Sequence, residues 1–260
     1  MDTKSILEEL TRRFSSKGLE RVEECLRYMS GEKTPVYPHP QQEPTRLYFP
    51  GLSAKGWHDT ADFPWVADIE RSWENVLGEL KGLQESKAGF YPYEDPYTLE
   101  LGWKGWDTYT LYRKGKRHEK NAARCPRTIE LLEKSPRGVR QGMFTRLNPG
   151  AHLTPHTGGV NVVLTCHLGL LIPEGCSIRV GDDVRGWTPG KCLIFDDSFI
   201  HEVWHKGTEV RTILLWDIWH PDLTEVEIQA LNYLFPIFDK ALRGGDRAAA
   251  GGKAGGMTKP

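Results

Sequence analysis

The sequence predicts a mainly β protein with flanking helices, built as an antiparallel sandwich or jelly roll. Between residues 142 and 219, short runs rich in β-branched and aromatic residues follow one another closely. Turn-forming segments such as Asn148-Pro-Gly150 and Thr188-Pro-Gly190 separate these runs. Short strands at such spacing are typical of sandwiches and barrels, whereas alternating strands and helices indicate a parallel sheet. No GxGxxG or P-loop motif supports a nucleotide-binding alternative.

The individual strands are predicted from their β-branched and aromatic composition. The first covers Trp106–Tyr112, and further strands are expected near Gly142–Leu147, Val160–Ile172, Ser177–Val180, Cys192–Phe195, His201–His205 and Val210–Trp219. After the first strand, the basic run Arg113–Arg124 admits two interpretations, a phosphate-binding patch or a solvated loop. We predict the solvated loop, because Glu119 and Asn121 interrupt the run and no aromatic platform accompanies it.

Three stretches of helix are predicted before the strand-rich region of residues 142–219. Apolar residues at helical spacing within residues 4–30 predict two helices separated by Gly18. A longer helix should begin with Asp62 as its cap and Pro64 in its first turn. A short helix should begin at Pro126, since proline is favoured at the first helical position.

The predicted organisation has one principal domain. Residues 1–44 form a helical segment and a Pro-rich linker, and residues 45–243 form the jelly-roll domain with a C-terminal helix. A capping box of Thr224 and Glu227 marks the start of that helix. Residues 244–260 are rich in Gly and Ala and are predicted to be disordered.

Charge and composition limit the partners of the protein. The formal net charge is -1 and the pI is about 6.8, whereas general nucleic-acid binders cluster Lys and Arg against phosphates. No apolar run approaches the roughly 20 residues that span a bilayer, and the first residues resemble a polar helix rather than a signal peptide. The five cysteines lack CxxC spacing, which favours reduced thiols. We expect a cytoplasmic protein with no nucleic-acid or membrane partner, and the sequence does not indicate an oligomeric state.

The histidines are the first candidates for chemistry. His156 and His201 each precede or begin a predicted strand, and Arg211 follows ten residues after His201. Imidazoles on neighbouring strands can share one metal ion, and a buried arginine can clamp a carboxylate. A site of two histidines and one carboxylate would require an acidic residue at position 158, where this sequence has Gly158. The residues alone therefore leave the site incomplete. For three further histidines, His152, His205 and His220, a structural role is predicted.

Four segments together carry a family resemblance. They are His156-Thr-Gly-Gly, the apolar run Cys166–Pro173, the long segment Gly190–Trp204 and the segment Asp217–Thr224. With upstream matches at Leu47–Gly51 and between Trp106 and Pro126, they cover roughly residues 45–225. In these segments the sequence resembles the aspartyl/asparaginyl β-hydroxylase family.

The resemblance implies a double-stranded β-helix (a cupin-like jelly roll) that uses Fe(II), 2-oxoglutarate and O2. It implies His156 and His201 as iron ligands, with Gly158 at the position that other oxygenases fill with a carboxylate. Arg211 is implied as the partner of the distal 2-oxoglutarate carboxylate. The resemblance also places Thr145 beside that carboxylate and His167 near the other end of the cosubstrate. An ordinary β-branched strand residue is the alternative for Thr145.

The expected substrate follows from a departure from the family pattern. Family members that hydroxylate acidic side chains carry arginines at the positions of Val163 and Thr165 in this chain. A buried carboxylate without a cation or donors is costly, so this pocket should not take an acidic side chain. We predict a small molecule with an apolar reacting part, such as the free amino acid valine, oxidised by hydroxylation or by ring closure to an aziridine. Trp106 and Thr108 are expected to line the same pocket.

Three alternatives stay open on the sequence. The first is β-hydroxylation of aspartyl or asparaginyl residues in peptides. The second is halogenation, because a missing carboxylate ligand can leave room for a halide. The third is a catalytically silent cupin-like binding module. Metal-dependent release of succinate separates the enzymes from the binding module.

Overall fold

A computed structural model describes residues 3–14, 17–87, 89–93 and 101–243 of the chain. The tail predicted to be disordered, residues 244–260, lies outside the described residues. The chain divides into two compact units. The first comprises Met1–Tyr37, Arg46–Ser53 and Asp222–Pro260, and the second comprises Pro38–Thr45 and Ala54–Pro221. Within the second unit, Gln42 forms an isolated antiparallel bridge with Phe199.

The described helices and strands have the following bounds. The helices are α1 Thr3–Phe14, α2 Glu20–Ser30, α3 Val66–Arg71, α4 Trp73–Glu85, α5 Glu119–Ala122, α6 Pro126–Glu133 and α7 Glu225–Arg243. The strands are β1 Trp57–His58, β2 Tyr91–Pro92, β3 Trp106–Arg113, β4 Lys116–Arg117, β5 Gly142–Leu147, β6 His152–His156, β7 Val163–Leu171, β8 Cys176–Val180, β9 Asp183–Arg185, β10 Cys192–Phe195, β11 His201–His205 and β12 Arg211–Trp219.

The first unit contains the helices α1, α2 and α7. Gly18 separates α1 from α2 and has a φ of 83°, a left-handed conformation that glycine adopts without strain. The predicted capping box is present at the start of α7. The backbone N–H of Thr224 donates to Glu227 at 2.8 Å, and the backbone N–H of Glu227 donates to the Thr224 hydroxyl at 3.4 Å. Arg21 of α2 also donates to both carboxylate oxygens of Glu227.

The second unit contains all of the described strands, in two antiparallel sheets. The larger sheet has the order β1-β10-β7-β12-β5-β3-β2, with β4 paired to β3, and the smaller has the order β6-β11-β8-β9. This is the arrangement of a double-stranded β-helix, and the predicted fold class is confirmed.

Two apolar clusters cover the two faces of the larger sheet. On one face, alternate residues of β12, Leu214, Trp216 and Ile218, belong to a cluster that also contains residues of α3, α4 and α6. On the other face, Ile213 belongs to a cluster with residues of the smaller sheet, including Val203 of β11. Because side chains alternate along a strand, Arg211 shares the face of Ile213 and points toward the space between the sheets.

Three local predictions were wrong. The helix expected from Asp62 begins later, because Asp59 caps a short 3-10 turn and the helical region is broken into α3 and α4 at Ser72. Strand β6 was not predicted, since Pro155 and polar neighbours hide its alternation. The basic run is not one continuous loop, because it contains β4 and α5.

No helix within the described ranges is both long enough and apolar enough to cross a lipid bilayer.

Candidate active site

The two candidate metal ligands meet across a pair of strands. His156 ends β6, His201 begins β11, and the two residues are directly paired in the antiparallel register. Their ring centroids lie 3.9 Å apart. The structure thus brings together two imidazoles from residues that are 45 positions apart in the sequence.

Both imidazoles are oriented by backbone carbonyls. Nδ1 of His156 lies 2.7 Å from the carbonyl oxygen of Thr154, and Nδ1 of His201 lies 2.9 Å from that of Phe199. Because a carbonyl only accepts, each Nδ1 carries the proton and donates it. The lone pair of each Nε2 is then available to a metal ion, with the ring held by its second nitrogen.

Burial keeps the histidine pair neutral. Desolvation, reinforced by the neighbouring His201, lowers the pKa of His156 to about 3. Desolvation also lowers the pKa of His201 to about 4, although hydrogen bonding to the Phe199 carbonyl opposes the shift. Metal ligands must be deprotonated, so these rings are in the form that binds a metal ion at neutral pH.

Gly158 lies where a side chain has no room. A Cβ atom at this position would lie 2.5 Å from Cγ and 2.8 Å from Oδ2 of Asp197, distances that real Cβ atoms do not adopt. The backbone N–H of Gly158 also donates to the carbonyl of Asp197 at 2.6 Å, and its own carbonyl accepts from Thr45 at 3.0 Å. The carboxylate of Asp197 thus occupies the space that a side chain at position 158 would require.

Asp197 is a site residue that sequence reasoning missed. Its Oδ1 is buried and has no hydrogen-bond partner among the residues that the structure describes. Desolvation, together with the charge of Asp196, raises the pKa of Asp197 to about 7, although a hydrogen bond from Thr165 opposes this shift. Among the residues that the structure describes, no group of three His, Cys, Asp or Glu side chains is close enough to hold one metal ion. Asp197 therefore lies beside the histidine pair without completing a three-residue ligand set.

Arg211 and His167 form a second part of the site, which is suited to binding an anion. Arg211 is 2% exposed and lies over the Trp187 ring at 4.6 Å. Its Nε and Nη1 have no hydrogen-bond partner in the part of the chain that the structure describes. Burial lowers the pKa of Arg211 to about 10, so the guanidinium remains charged at neutral pH. A buried cation without a counter-charge is strongly unfavourable, which indicates an anionic ligand.

His167 supplies a neutral donor beside this cation. Its Nδ1 accepts a hydrogen bond from Nε1 of Trp187 at 3.2 Å, so the ring proton is on Nε2. That Nε2 is buried and has no hydrogen-bond partner within the described ranges. Burial, with the positive charge of Arg211 and the nearby His201, holds the pKa of His167 well below its usual value. Together, a fixed cation and a fixed N–H donor match the carboxylate groups of a dicarboxylic acid.

Thr145 and Thr108 occupy neighbouring strands of the larger sheet. Thr145 is 1% exposed and is paired in register with Ile213 of β12 and with Thr108 of β3. Since Ile213 and Arg211 share a strand face, Thr145 lies on the sheet face that carries the guanidinium. Thr108 lies one strand further from Arg211 than Thr145 does.

The residues predicted to line the substrate pocket differ in their contacts with the histidine pair. Thr165 is buried on β7 and donates a hydrogen bond to Asp197, which ties it to the histidine pair. Val163 is buried on the same strand and is paired with Trp219. Trp106 is half-buried and packs against Tyr93, with ring centroids 4.2 Å apart and the ring planes tilted by 32°.

Trp103 is a second residue that sequence reasoning missed. Its ring centroid lies 4.4 Å from that of His156, in an edge-to-face arrangement. Its Nε1 donates to the Thr154 hydroxyl at 3.0 Å, which fixes the indole beside the histidine. Trp103 lies in a glycine-rich segment, Leu101–Gly105, ahead of a strand, and neither periodicity nor spacing marks it.

Two of the histidines predicted to be structural have protein partners. His152 pairs with Glu202 at 2.6 Å, and Nε2 of His205 lies 2.5 Å from the carbonyl oxygen of Glu209. Both rings are therefore held by other parts of the protein.

The fold and the site together define a class, a double-stranded β-helix protein with a two-histidine candidate metal site and a buried arginine. The family model of the aspartyl/asparaginyl β-hydroxylases matches residues 70–221, a range that includes both histidines, Gly158 and Arg211. The chain belongs to this family.

Three relatives illustrate the range of the family. The human (Homo sapiens) aspartyl/asparaginyl β-hydroxylase is 39% identical over 189 residues, which cover 70% of this chain and 25% of the human protein. The rat (Rattus norvegicus) aspartate β-hydroxylase domain-containing protein 2 is 32% identical, over 88% of this chain and 69% of the rat protein. The ornithine lipid ester-linked acyl 2-hydroxylase of Rhizobium tropici is 34% identical, over 69% of this chain and 66% of that protein. The chain thus spans about a quarter of the length of the human relative.

The contact between Gly158 and Asp197 predicts the effect of adding a methyl group. In Gly158→Ala, the new Cβ must displace either the buried Asp197 carboxylate or the backbone that holds His156. We expect the affinity for Mn(II), measured by calorimetry, to fall at least about tenfold, which corresponds to ~1.4 kcal/mol. Gly186→Ala is the matched control, because the nearest atom to its Cβ is 3.8 Å away. Equal Mn(II) affinity in the wild type and in folded Gly158→Ala would contradict this account.

Proposed function

We propose that the protein is an Fe(II)- and 2-oxoglutarate-dependent oxygenase that hydroxylates an unactivated C–H bond of a small substrate. The observation that supports it most strongly is the set of buried polar atoms without protein partners on Arg211 and His167. The pair of neutral imidazoles lies in the same region, since the Phe195 ring is 5.0 Å from that of His167 and 5.9 Å from that of His201. Membership of a hydroxylase family supports the same activity.

Each residue has a separate task in this proposal. His156 and His201 would hold Fe(II) through Nε2, and Arg211 would pair with the distal carboxylate of 2-oxoglutarate. His167 would donate its Nε2–H to the other end of the cosubstrate, and the Thr145 hydroxyl would lie beside the distal carboxylate. When bound, the iron and the cosubstrate would supply the oxidising chemistry with O2, which no protein side chain provides.

Aromatic side chains limit the access of water to the site. Phe195 lies 5.9 Å from the ring of His201 and 5.0 Å from that of His167, measured between centroids. Trp103 covers His156, and Trp187 covers Arg211. An apolar enclosure strengthens charge interactions inside it and protects a reactive centre from side reactions with water.

For the substrate, we propose a free aliphatic amino acid such as valine, which would be hydroxylated or closed to an aziridine. Val163 and Thr165 support this choice, because neither can neutralise an acidic side chain. Thr165 is moreover engaged with Asp197, which leaves Val163 as an apolar wall. The names of two relatives refer to aspartyl residues and to an ornithine lipid, so peptide hydroxylation is the alternative to be tested.

The surroundings of Gly158 weigh against halogenation. A halide would need an open position beside the metal where other oxygenases have a carboxylate. Here the Asp197 carboxylate fills the volume next to Gly158.

The first prediction concerns the metal. Under anaerobic conditions, the protein with Fe(II) and 2-oxoglutarate should show the weak visible charge-transfer band of an iron-chelated keto acid. Because a single imidazole is a poor iron site, His156→Ala and His201→Ala should each abolish the band. His152→Ala is the matched control, since that ring is paired with Glu202. A band of full strength in folded His201→Ala would remove His201 from the ligand set.

The second prediction concerns the buried guanidinium. Removing one partner of a buried charge pair costs on the order of 2–5 kcal/mol, so Arg211→Ala should weaken 2-oxoglutarate binding roughly thirtyfold or more. Arg211→Lys should restore only part of the affinity, because an ammonium cannot form two parallel hydrogen bonds. Arg185→Ala is the control, since Arg185 also lies over a tryptophan ring, at 4.3 Å, but is exposed. Unchanged 2-oxoglutarate affinity in Arg211→Ala would exclude Arg211 as the carboxylate partner.

The third prediction concerns the substrate. Release of succinate should be stimulated by valine-like amino acids and not by a peptide that contains aspartate. Val163→Arg should weaken the response to the amino acids and not to 2-oxoglutarate itself, because the change affects only the substrate side. Turnover of the aspartyl peptide with inert amino acids would contradict the proposal for the substrate and leave the oxygenase activity in place.

A further inference from the structure

A short segment of the second unit, Gln41–Thr45, is bonded to both of the connections that adjoin the candidate metal ligands. We call this segment the strap. One connection, residues 157–162, follows His156 at the end of β6, and the other, residues 196–200, leads into His201 at the start of β11. The strap and both connections belong to the same compact unit. Their contacts can therefore be described as parts of one body.

The strap pairs with the connection before His201 in an antiparallel manner. Gln42 and Phe199 form an isolated bridge. Two backbone hydrogen bonds flank this pair, from the N–H of Ile200 to the carbonyl of Gln41 at 2.8 Å and from the N–H of Glu43 to the carbonyl of Ser198 at 3.1 Å. Because the flanking residues make these bonds, Gln42 and Phe199 are a non-hydrogen-bonded pair of the antiparallel pattern.

This pairing orients the Phe199 carbonyl. In a non-hydrogen-bonded pair, each residue directs its own N–H and C=O away from the opposite segment. The Phe199 carbonyl therefore points away from the strap, and it accepts the hydrogen bond from Nδ1 of His201 at 2.9 Å. The Phe199 side chain is 2% exposed, and its ring lies 4.9 Å from that of His39. The strap thus holds the peptide group that keeps the proton of His201 on Nδ1.

The side chain of Gln42 anchors the strap to the same connection. It is 2% exposed, and its Nε2 donates to Oδ2 of Asp196 at 2.9 Å and to the Ser198 hydroxyl at 3.1 Å. The other carboxylate oxygen of Asp196 accepts the backbone N–H of Ser198 at 2.9 Å. One buried amide group therefore ties the strap to two residues of the connection, and buried hydrogen bonds of this kind are costly to leave unmade.

The strap is also bonded to the connection after His156. The backbone N–H of Thr45 donates to the carbonyl of Gly158 at 3.0 Å. In the opposite direction, the hydroxyl of Thr157 donates to the carbonyl of Glu43 at 2.7 Å. The same short segment therefore restrains the residues next to both candidate ligands.

We propose that Gln42 is a positioning residue of the candidate metal site, which acts through the strap to hold the Phe199 carbonyl against His201. With the proton fixed on Nδ1, the Nε2 lone pair faces the metal position. Hydrogen-bond partners that orient ligating histidines typically contribute about 10–100-fold to metal affinity. Gln42 acts one contact further away, so its effect is expected near the lower end of this range. The metal part of this proposal rests on the proposed function, whereas the fixed tautomer does not.

The first test observes the tautomer in the metal-free full chain. Long-range 1H–15N NMR detects both ring nitrogens of His201, with the signals assigned by comparison with His201→Ala. The wild type should carry the proton on Nδ1, whereas Gln42→Leu should show a second population with the proton on Nε2. Gln41→Leu is the matched control, because its side chain donates to Asp182 at 2.8 Å and its backbone carbonyl is retained.

The second test measures Mn(II) affinity by calorimetry. Gln42→Leu should bind Mn(II) roughly tenfold more weakly than the wild type, and Gln41→Leu should bind it equally well. A merely structural role would lower the thermal stability of Gln42→Leu and leave the His201 tautomer and the Mn(II) affinity unchanged, and that result overturns the proposal. A wild type that binds no Mn(II) would contradict the proposed function, and the tautomer measurement would still decide the role of Gln42.

The other end of the strap supplies a test if Gln42→Leu does not fold. Thr157→Val removes the hydroxyl that donates to Glu43, and Thr157→Ser retains it. Thr157→Val should weaken Mn(II) binding, again roughly tenfold, and Thr157→Ser should restore the affinity of the wild type. Equal Mn(II) affinity in the wild type and both variants, with the fold verified by circular dichroism, would overturn the role of the strap.

Discussion

A buried guanidinium with no counter-charge among the described residues is the constraint on which the rest of the site depends. Arg211 begins β12 and points between the two sheets, where it is 2% exposed. The stacking on Trp187 stabilises its plane but supplies no hydrogen-bond acceptor for Nε or Nη1. A fold that keeps such a group buried does so at a cost that an anionic ligand can offset. The unpartnered Nε2 of His167 lies in the same region and adds a donor of fixed direction.

Strand pairing and backbone hydrogen bonds position the histidine pair. Antiparallel pairing of β6 with β11 places His156 opposite His201, and two backbone carbonyls fix both ring tautomers. Steric space, rather than charge, then determines whether position 158 can supply a third metal ligand. Because Asp197 fills the volume beside Gly158, an acidic side chain at position 158 could not be added without moving that carboxylate. A residue other than glycine at this position would therefore displace the Asp197 carboxylate, which belongs to the connection between β10 and β11.

The sequence predicted much of the fold because strand and helix periodicity are local properties. Strands β5, β10 and β11 were predicted at the bounds that the structure has, and β3 to within one residue. Strand β6 was missed because its pairing with β11, and not its own composition, defines it. For the site, the residues alone led to the two histidines and Arg211, and then stopped at Gly158.

The family resemblance completed the candidate site, and the structure added what neither could supply. Asp197 and Trp103 act through contacts with residues that are distant in sequence, so no spacing rule could mark them. Local sequence patterns therefore predict the helices and strands, whereas contacts between distant segments bring the residues of the candidate site together.

The most direct measurement is a crystal structure of the protein with Mn(II), as a redox-inert substitute for iron, and 2-oxoglutarate. The account predicts anomalous scattering from one Mn(II) within bonding distance of Nε2 of both His156 and His201. It also predicts the distal carboxylate of 2-oxoglutarate on the guanidinium of Arg211, with His167 donating to the cosubstrate. A metal bound elsewhere, or a cosubstrate that leaves Arg211 without a counter-charge, would contradict the account.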